Sequence, residues 1–420
     1  MPKFLHAADL HIGSALTNLE QRDGAPVEAI RGAVERALGN LVELAIGEEV
    51  NFVVLAGDTF DTNPTLASER VFRRAMRRLG ERGIPVVAVL GNHDFAGLSP
   101  QEGRLPDNVT VLSREAAESF EPAPGVVVHG RSYPRRDCRE DLTDGFPEAV
   151  PGALNIGLLH TALTDTAHEP YAPTSPAKLG ALHYQYWALG HVHQHSVMKE
   201  KGATIVFPGN LQGRHARETG AKGASVVSYD GTGVRGVEHR ALDVVRWHHL
   251  RVDDAELAGD RVEALAARVR RETAEDRNQQ RLSVVRLTLT GVPAAGGRHV
   301  SPDALASDLV VALDDDRDGI WLEKVLVERG RDLGGADGLE LELAELTRAL
   351  VAEEAEREAL LQAVAHVRKQ LRKTDASLLR ASHDWALPAE LRLRDGDPLS
   401  QDDAVALLAR ALDVILDARS

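Results

Sequence analysis

The 420-residue chain contains one cysteine, few aromatic residues and no excess of positive charge. The single cysteine, Cys138, excludes an internal disulfide framework and a metal site built from several cysteines. No apolar run reaches the roughly 18 residues of a transmembrane helix, so the sequence predicts none. The net charge of −15 and the pI of about 5.6 argue against nucleic-acid binding by bulk electrostatics, because such proteins carry a basic surface. Any nucleic acid is therefore expected to be held locally, by metal ions and a few arginines.

The composition is that of a globular chain, with 43% apolar and 27% charged residues. At about 100–200 residues per domain, two or three domains are expected. The first residues, MPKFLHAADLH, include charges and two histidines where a signal peptide would have its apolar core. We therefore expect a cytoplasmic protein.

Residues 1–240 alternate between short apolar segments, typical of strands, and longer segments with apolar residues at helical spacing. Strands are predicted near 3–8, 51–56 and 85–90, and helices near 27–46 and 66–82. Strands without a polar face are typical of the centre of a layered α/β sheet. Further strands are predicted near 186–189, 204–207 and 224–229, and the late hairpin-like strands indicate a second sheet packed on the first.

The pattern changes near residue 241. Strands near 244–252, 282–290 and 321–327 alternate with helices near 255–273 and 302–313, which predicts a small β-α-β-α-β domain. Leucines and valines at helical spacing over 343–371 predict an amphipathic helix or helical hairpin, and 402–416 predicts a second helix. We place the domains at 1–238, 239–330 and 338–420.

Five polar motifs follow predicted strands in the first half of the chain. They are Asp9-Leu10-His11, Gly57-Asp58-Thr59-Phe60-Asp61, Gly91-Asn92-His93-Asp94, His160 and Gly190-His191-Val192-His193. Ligand sites of α/β sheets collect in the loops beyond the carboxyl ends of strands. Five such motifs in that position are hard to explain by packing alone.

These residue types suit a metal centre. Carboxylate, imidazole and amide donors without a thiolate favour Mn²⁺, Fe²⁺ or Zn²⁺. Asp9 and His11 are expected to point the same way because residues two apart on an extended segment share a face, and His191 and His193 have the same spacing. Asp58 can bridge two cations about 3.5–4 Å apart. One metal is assigned to Asp9, His11, Asp58 and His193, and the other to Asp58, Asn92, His160 and His191. Gly57, Gly91 and Gly190 are expected to permit tight turns after the strands.

In order and spacing, the five motifs resemble the D-x-H, GD-x-x-D, GNH-[DE], H and GH-x-H signature of the calcineurin-like metallophosphoesterase superfamily. The resemblance implies phosphoester hydrolysis by a metal-bridging hydroxide at a dinuclear centre. It implies catalytic roles for His93, which would protonate the leaving oxygen, and for Asp61, which would orient His93. The structural alternative for Asp61 is a carboxylate that caps a turn. For Asp94 the alternative is a residue that shapes its loop, so it is given no catalytic role.

Residues 207–223, FPGNLQGRHARETGAKG, and the opening FLHAADLHIG are similar to the bacterial DNA repair exonuclease branch, the SbcD-like nuclease subunits. This resemblance implies a two-sheet β-sandwich flanked by helices, a small α+β capping domain and C-terminal helices. It implies two divalent ions, Mn²⁺ above all, and as partners DNA ends or single strands, an SMC-like coiled-coil ABC ATPase and a second copy of the chain as a homodimer. The helices of 338–420 would dock the ATPase or simply pack on their own domain.

Asn210 is a candidate substrate contact, with a loop-shaping residue as the alternative. Arg214 is a second candidate, and Lys222 is a further group that could position a backbone phosphate. The alternative is a surface turn with solvated charges. The six arginines of 66–82 predict a solvated helix face, with a phosphate-tracking surface as the alternative. His195 and His215 are expected near the site.

Two other functions remain open. The first is a phosphodiesterase or phosphatase acting on small nucleotides or phosphoproteins, although the segments after residue 240 disfavour it. The second is a scaffold subunit with a vestigial metal site, which the full set of ligands disfavours.

Overall fold

A computed structural model describes residues 1–14, 25–61, 64–94, 105–163, 171–231, 233–292, 300–314 and 319–329. In chain order the strands are β1 Lys3–Ala7, β2 Phe52–Ala56, β3 Val86–Val89, β4 Val109–Val111, β5 Glu118–Ala123, β6 Val126–Gly130, β7 Leu154–His160, β8 Tyr186–Gly190, β9 Ser196–Glu200, β10 Ala203–Phe207, β11 Gly223–Asp230, β12 Gly233–Ala241, β13 Val245–Asp253, β14 Leu282–Val292 and β15 Ile320–Arg329. The α-helices are α1 Val27–Ile30, α2 Ala33–Gly47, α3 Leu66–Gly80, α4 Pro176–Ala181, α5 Arg261–Glu272, α6 Ala274–Asn278 and α7 Pro302–Ala312.

Two six-stranded sheets hold the first part of the chain. The first sheet has the order β12-β11-β1-β2-β3-β4. Strands β1 to β4 are parallel, β11 is antiparallel to β1, and β12 is antiparallel to β11. The second has the order β5-β6-β7-β8-β10-β9, with four parallel inner strands and antiparallel strands at both edges. In each sheet the parallel strands end at one edge, where ligand-binding loops collect.

The two sheets pack face to face, because the strands at their centres have no polar face. All five residues of β2, FVVLA, are buried. Between the sheets, Phe4 stacks on Phe52 with ring centroids 5.0 Å apart, and Tyr186 meets Phe4 edge-on at 5.1 Å. The α/β class and the predicted sandwich of two sheets flanked by helices are confirmed.

Helix α3 shows how a helix covers the outer face of the first sheet. Thr65 caps its first turn, since its side chain accepts a hydrogen bond from the Ser68 backbone N–H. Phe72, Met76 and Leu79 are buried against the sheet. Most of the arginines between them are exposed, as expected for a solvated helix face.

The third sheet consists of β13, β14 and β15, all parallel, with α5 and α7 packed on its apolar residues. The helix predicted over 255–273 is shorter, because Gly259 at φ 77° interrupts the segment. Asp260 then caps α5 by accepting hydrogen bonds from two backbone N–H groups of its first turn. Trp247 and Trp321 of this sheet pack with Ile30 of α1.

The described residues lie in one compact unit that comprises Met1–Val292 and Arg298–Arg329. Strand β12 continues to Ala241, past the predicted boundary at 238/239, so the division into catalytic and capping domains stays a prediction. The segment 338–420, with its predicted helices at 343–371 and 402–416, lies outside the described residues. Within the described ranges, no helix has the length and apolar character needed to cross a bilayer.

Candidate metal centre

The five predicted motifs meet at the carboxyl ends of strands from both large sheets. Asp9 follows β1, Asp58 follows β2 and Asn92 follows β3, while His160 ends β7 and His191 follows β8. Backbone hydrogen bonds join the loops: the Asp9 N–H donates to the Gly57 carbonyl at 3.0 Å, and the His191 N–H donates to Asp9 Oδ2 at 3.0 Å. The sandwich therefore brings together groups that are far apart in the chain.

The side chains of the first predicted ligand group lie close enough together to bind one ion. His11 Nε2 is 3.2 Å from His193 Nε2, and His193 Nε2 is 3.6 Å from Asp9 Oδ1. Asp9, His11 and His193 each offer a ligand atom, and the three atoms lie within 4.8 Å of one another.

The second group adjoins the first. His160 Nε2 is 3.4 Å from Asp58 Oδ2 and 3.1 Å from Asn92 Oδ1, and the ring of His191 lies 5.3 Å from that of His160. Asp58 Oδ2 is also 4.0 Å from His11 Nε2, so this carboxylate stands between the two groups. All seven predicted ligands are therefore neighbours.

The arrangement fits a pair of divalent cations. Asp9 and Asp58 are two buried carboxylates surrounded by imidazole nitrogens, and carboxylates accept hydrogen bonds without donating any when ionised. Oxygen and imidazole donors without thiolates match Mn²⁺, Fe²⁺ or Zn²⁺. The assignment of each residue to a particular ion stays a prediction.

Burial lowers the pKa of two of the imidazoles, and neighbouring carboxylates raise the pKa of two others. Burial lowers the pKa of His11 to about 3 and that of His191 to about 4. Burial also acts against protonation of His160, but the adjacent Asp58 carboxylate outweighs it and raises the pKa of His160 to about 9. For His193, burial is likewise outweighed by Asp9 and Glu218, and the pKa is raised to about 9.

The backbone at the site is not extended. Asp9 has φ 51°, His11 φ 46°, Asp58 φ 51° and His191 φ 100°, all in the left-handed region. The expectation that Asp9 and His11 share a face of an extended segment is therefore wrong, as is its counterpart for His191 and His193. Such conformations cost about 1–3 kcal/mol each in non-glycine residues and persist where surrounding contacts enforce them.

The three predicted glycines act mostly through close approach. Gly57 does adopt a positive φ, 85°. At Gly91, however, a Cβ would overlap Asp58 Oδ1, and at Gly190 it would overlap the Ala56 carbonyl oxygen. Those two glycines let a neighbouring loop or strand pass where a side chain would not fit.

The proposed catalytic pair lies at the rim of the centre. His93 Nδ1 is 3.4 Å from Asp61 Oδ1, and their side chains are 29% and 35% exposed. The His93 ring is 5.1 Å from that of His11, and the His93 backbone N–H donates to Asp58 Oδ1 at 3.0 Å. The two side chains are thus brought together at a position open to a substrate.

Asp94 holds two loops of the site together, in line with the loop-shaping alternative for this residue. Its fully buried carboxylate accepts hydrogen bonds from the Phe60 N–H at 2.9 Å and the Gly91 N–H at 3.0 Å, which joins the loops after β2 and β3. Burial, with the nearby charge of Asp58, raises the pKa of Asp94 to about 6. The signal in the sequence was the acidic residue that ends the third motif.

The candidate substrate contacts divide into buried and accessible groups. Asn210 is fully buried and donates to the Gln212 carbonyl at 2.8 Å. Lys222 is buried and donates to the His193 carbonyl at 2.7 Å, so it supports the loop and is not placed to hold a phosphate. The Arg214 side chain remains 18% exposed. Of the two further histidines, His215 lies 3.6 Å from the carboxylate of Glu218, and His195 stacks on another histidine.

Comparisons with known proteins agree with this geometry. Residues 2–195 match the family described as calcineurin-like phosphoesterase. The metallophosphoesterase YhaO of Bacillus subtilis (strain 168) is 31% identical over 259 residues, which are 60% of this chain and 63% of that protein. A DNA double-strand break repair protein Mre11 from Sulfurisphaera tokodaii is 28% identical over 54% of this chain and 60% of its own. The Mre11 of Haloferax volcanii is 26% identical over 76% of this chain and 68% of its own.

The chain thus spans a little under two thirds of the length of the first two relatives. Among solved structures, a dimetal phosphatase from Danio rerio aligns with 57% of this chain and 97% of that chain at 15% identity. The TM-score of this alignment is 0.37.

Proposed function

Because residues 2–195 belong to the calcineurin-like phosphoesterase family, we propose that this chain is a dinuclear-metal phosphodiesterase that hydrolyses DNA from its ends. One observation carries the proposal. The ligand atoms of Asp9, His11 and His193 lie within 4.8 Å of one another, as do those of Asp9, Asp58 and His160. Two overlapping groups of this kind are what a pair of adjacent cations requires.

We assign the ligands as the sequence predicts. Asp9, His11, Asp58 and His193 would hold one ion, and Asp58, Asn92, His160 and His191 the other. Mn²⁺ is the proposed ion, and Fe²⁺ and Zn²⁺ are alternatives that the same donors accept. When bound, the two cations polarise the phosphate and lower the pKa of the attacking water.

The protein's own groups handle the leaving oxygen and the substrate. Asp61 lies against Nδ1 of His93 and would accept the Nδ1–H of the doubly protonated ring, whose opposite nitrogen would donate its proton to the leaving oxygen and leave a neutral imidazole. Arg214 is partly exposed beside the centre and would contact a backbone phosphate, a contact that positions the strand without reading its sequence.

DNA is the proposed substrate because relatives named DNA double-strand break repair proteins match more than half of this chain. The third sheet would act as the capping domain beside the centre. The proposed partners are an SMC-like coiled-coil ABC ATPase, docked by 338–420, and a second copy of the chain, and the proposed compartment is the cytoplasm. Pull-down of the ATPase by the chain with and without 338–420 tests the docking; equal recovery would contradict it.

Hydrolysis assays in Mn²⁺ test the substrate. The assay compares end-labelled linear DNA, covalently closed circular DNA, cyclic nucleotides and a phosphopeptide at equal phosphate concentration. We expect nucleotides to be released from linear DNA, with little cleavage of the other three. Hydrolysis confined to the small nucleotides or the phosphopeptide would favour the alternative phosphodiesterase or phosphatase, and metal binding without hydrolysis would favour a scaffold.

Replacing the proposed proton donor tests the mechanism. His93→Ala should lower hydrolysis of linear DNA by about 10²–10⁴-fold while Mn²⁺ binding, measured by calorimetry, is retained. His249→Ala is the matched control, since His249 lies on β13 and contacts Thr288 at 3.0 Å, outside the centre. Equal activity of the two variants would remove His93 from the mechanism.

A further inference from the structure

We propose that Glu218 is a positioning residue that holds the metal ligand His193 and the phosphate-binding Arg214 in one arrangement. Glu218 lies outside the five motifs, in the loop between β10 and β11. Its side chain is 7% exposed. The inference rests on the proposed function and adds to it a residue that acts through others, without touching the substrate.

Glu218 sets the orientation of the His193 ring. Glu218 Oε1 lies 2.6 Å from His193 Nδ1, so the ring donates its Nδ1–H to the carboxylate. In the neutral ring that binds a metal ion, the opposite nitrogen, Nε2, then has its lone pair directed at the centre, 3.2 Å from His11 Nε2 and 3.6 Å from Asp9 Oδ1. A carboxylate behind a metal-binding imidazole selects the tautomer and fixes the ring.

The carboxylate is itself held from the other side. Oε2 of Glu218 accepts hydrogen bonds from Asn210 Nδ2 at 2.9 Å and from the Arg214 backbone N–H at 2.7 Å. Because both carboxylate oxygens are engaged and Asn210 is fully buried, Glu218 has little freedom to change rotamer. This explains why Asn210, predicted as a substrate contact, is buried: it supports the carboxylate.

The same carboxylate also reaches the guanidinium of Arg214. Arg214 Nη2 lies 3.6 Å from Glu218 Oε1, while Arg214 Nε is buried and makes no hydrogen bond among the described residues. A guanidinium held at one edge keeps its other donors for a phosphate. One side chain therefore connects an ion-binding group to a phosphate-binding group, and its removal should disturb both.

Mn²⁺ binding by isothermal calorimetry is the first measurement, made on the full chain with thermal unfolding recorded in parallel. Glu218→Ala should weaken one of the two Mn²⁺ sites by about 10–100-fold, the usual effect of removing such a partner. Glu218→Gln keeps an acceptor for His193 but turns an amide N–H toward the Arg214 backbone N–H, so its loss should be smaller. The matched control is Glu323→Gln, which removes a buried carboxylate bonded to Arg286 at 2.8 Å in the third sheet.

Kinetics supply a second readout that a general loss of stability would not reproduce. With linear DNA, Glu218→Ala should lose activity at low Mn²⁺ and recover much of kcat as Mn²⁺ is raised, while KM for DNA stays elevated because Arg214 is no longer held. The Glu323→Gln control should show neither change.

The outcomes separate the two proposals. If the wild-type chain binds none of Mn²⁺, Fe²⁺ and Zn²⁺, the proposed function fails. If it binds two ions and folded Glu218→Ala binds both as tightly, with unchanged KM, the positioning role is overturned and the proposed function stands. Should Glu218→Ala fail to fold, Glu218→Gln decides: wild-type Mn²⁺ affinity and KM in that variant would overturn the inference.

Discussion

Adding a single methyl group at Gly190 should disrupt the contact between the two large sheets. Gly190 ends β8 in the second sheet, and a Cβ there would overlap the carbonyl oxygen of Ala56, the last residue of β2 in the first sheet. It would also lie 2.9 Å from His160 Nδ1, closer than packed atoms approach. Because one obstacle is the backbone of a buried strand and the other is the fully buried His160 ring, no flexible side chain can move aside.

The size of the effect follows from these contacts. Overpacking a well-packed core costs about 1–3 kcal/mol and occasionally more. The hydrogen bond between His160 Nδ1 and the Ala56 carbonyl, 2.9 Å long, would be lost as β2 and β8 separate, at a further cost of about 0.5–1.5 kcal/mol. We therefore expect Gly190→Ala to lower the free energy of unfolding by about 1.5–4.5 kcal/mol, the sum of the two costs.

Urea denaturation followed by circular dichroism measures this loss. Gly39→Ala is the matched control, because Gly39 lies within α2, where a Cβ meets no atom within 4 Å. The same added methyl should there raise the free energy of unfolding by about 0.5–1 kcal/mol. A loss of less than about 1 kcal/mol for Gly190→Ala, below the usual cost of overpacking, would refute the reasoning, as would the same sign for both variants.

Four further substitutions test buried polar groups. Asp94→Asn turns an amide N–H toward one of two backbone N–H groups and should cost about 1–3 kcal/mol in urea denaturation; an unchanged midpoint would contradict this. Tyr133→Phe removes a buried hydroxyl that has no partner among the described residues and should not lower the melting temperature, whereas Tyr184→Phe removes a donor to a backbone carbonyl and should lower it; the reverse order would count against the hydrogen bonding described. Burial opposes ionisation of Asp276, yet its hydrogen bond from His248 holds its pKa below the usual range. Ionised Asp276 therefore stabilises the fold above about pH 4, and this stability is lost on acidification. The free energy of unfolding of Asp276→Asn should accordingly fall less steeply than that of the wild-type chain as the pH is lowered.

Much of the centre could be predicted because its chemistry restricts residue types. A site for two cations needs carboxylate and imidazole donors, and Asp9, Asp58 and His160 each come at the end of an apolar strand. Parallel strands bring their carboxyl ends to one edge, so position along the chain already indicated convergence. The proposed pair of His93 and Asp61 followed from the same reasoning, with a resemblance to a known family as support.

Other features could not be predicted, because they depend on contacts between distant segments. Asp94 joins two loops through backbone N–H groups, and no local pattern shows which N–H groups a carboxylate will meet. The left-handed backbone at Asp9 and His191 is held by neighbouring loops, and local preference favours extended conformations there. Glu218 lies within residues 207–223, a segment that resembles a known family. Its contact with His193 could not be predicted, because the two residues are 25 positions apart in the chain.

Residue chemistry and local periodicity are properties of the chain, so the donor groups, their order and the apolar strands that carry them could be identified before any fold was known. Which atoms face one another depends on how the folded strands and loops pack. The approach of the two sheets at Gly190, the orientation of His193 by Glu218 and the burial of Asn210 all depend on where the strands come to rest. Hydrogen bonds and close packing act over a few ångströms, and folding alone brings residues so distant in sequence within that range.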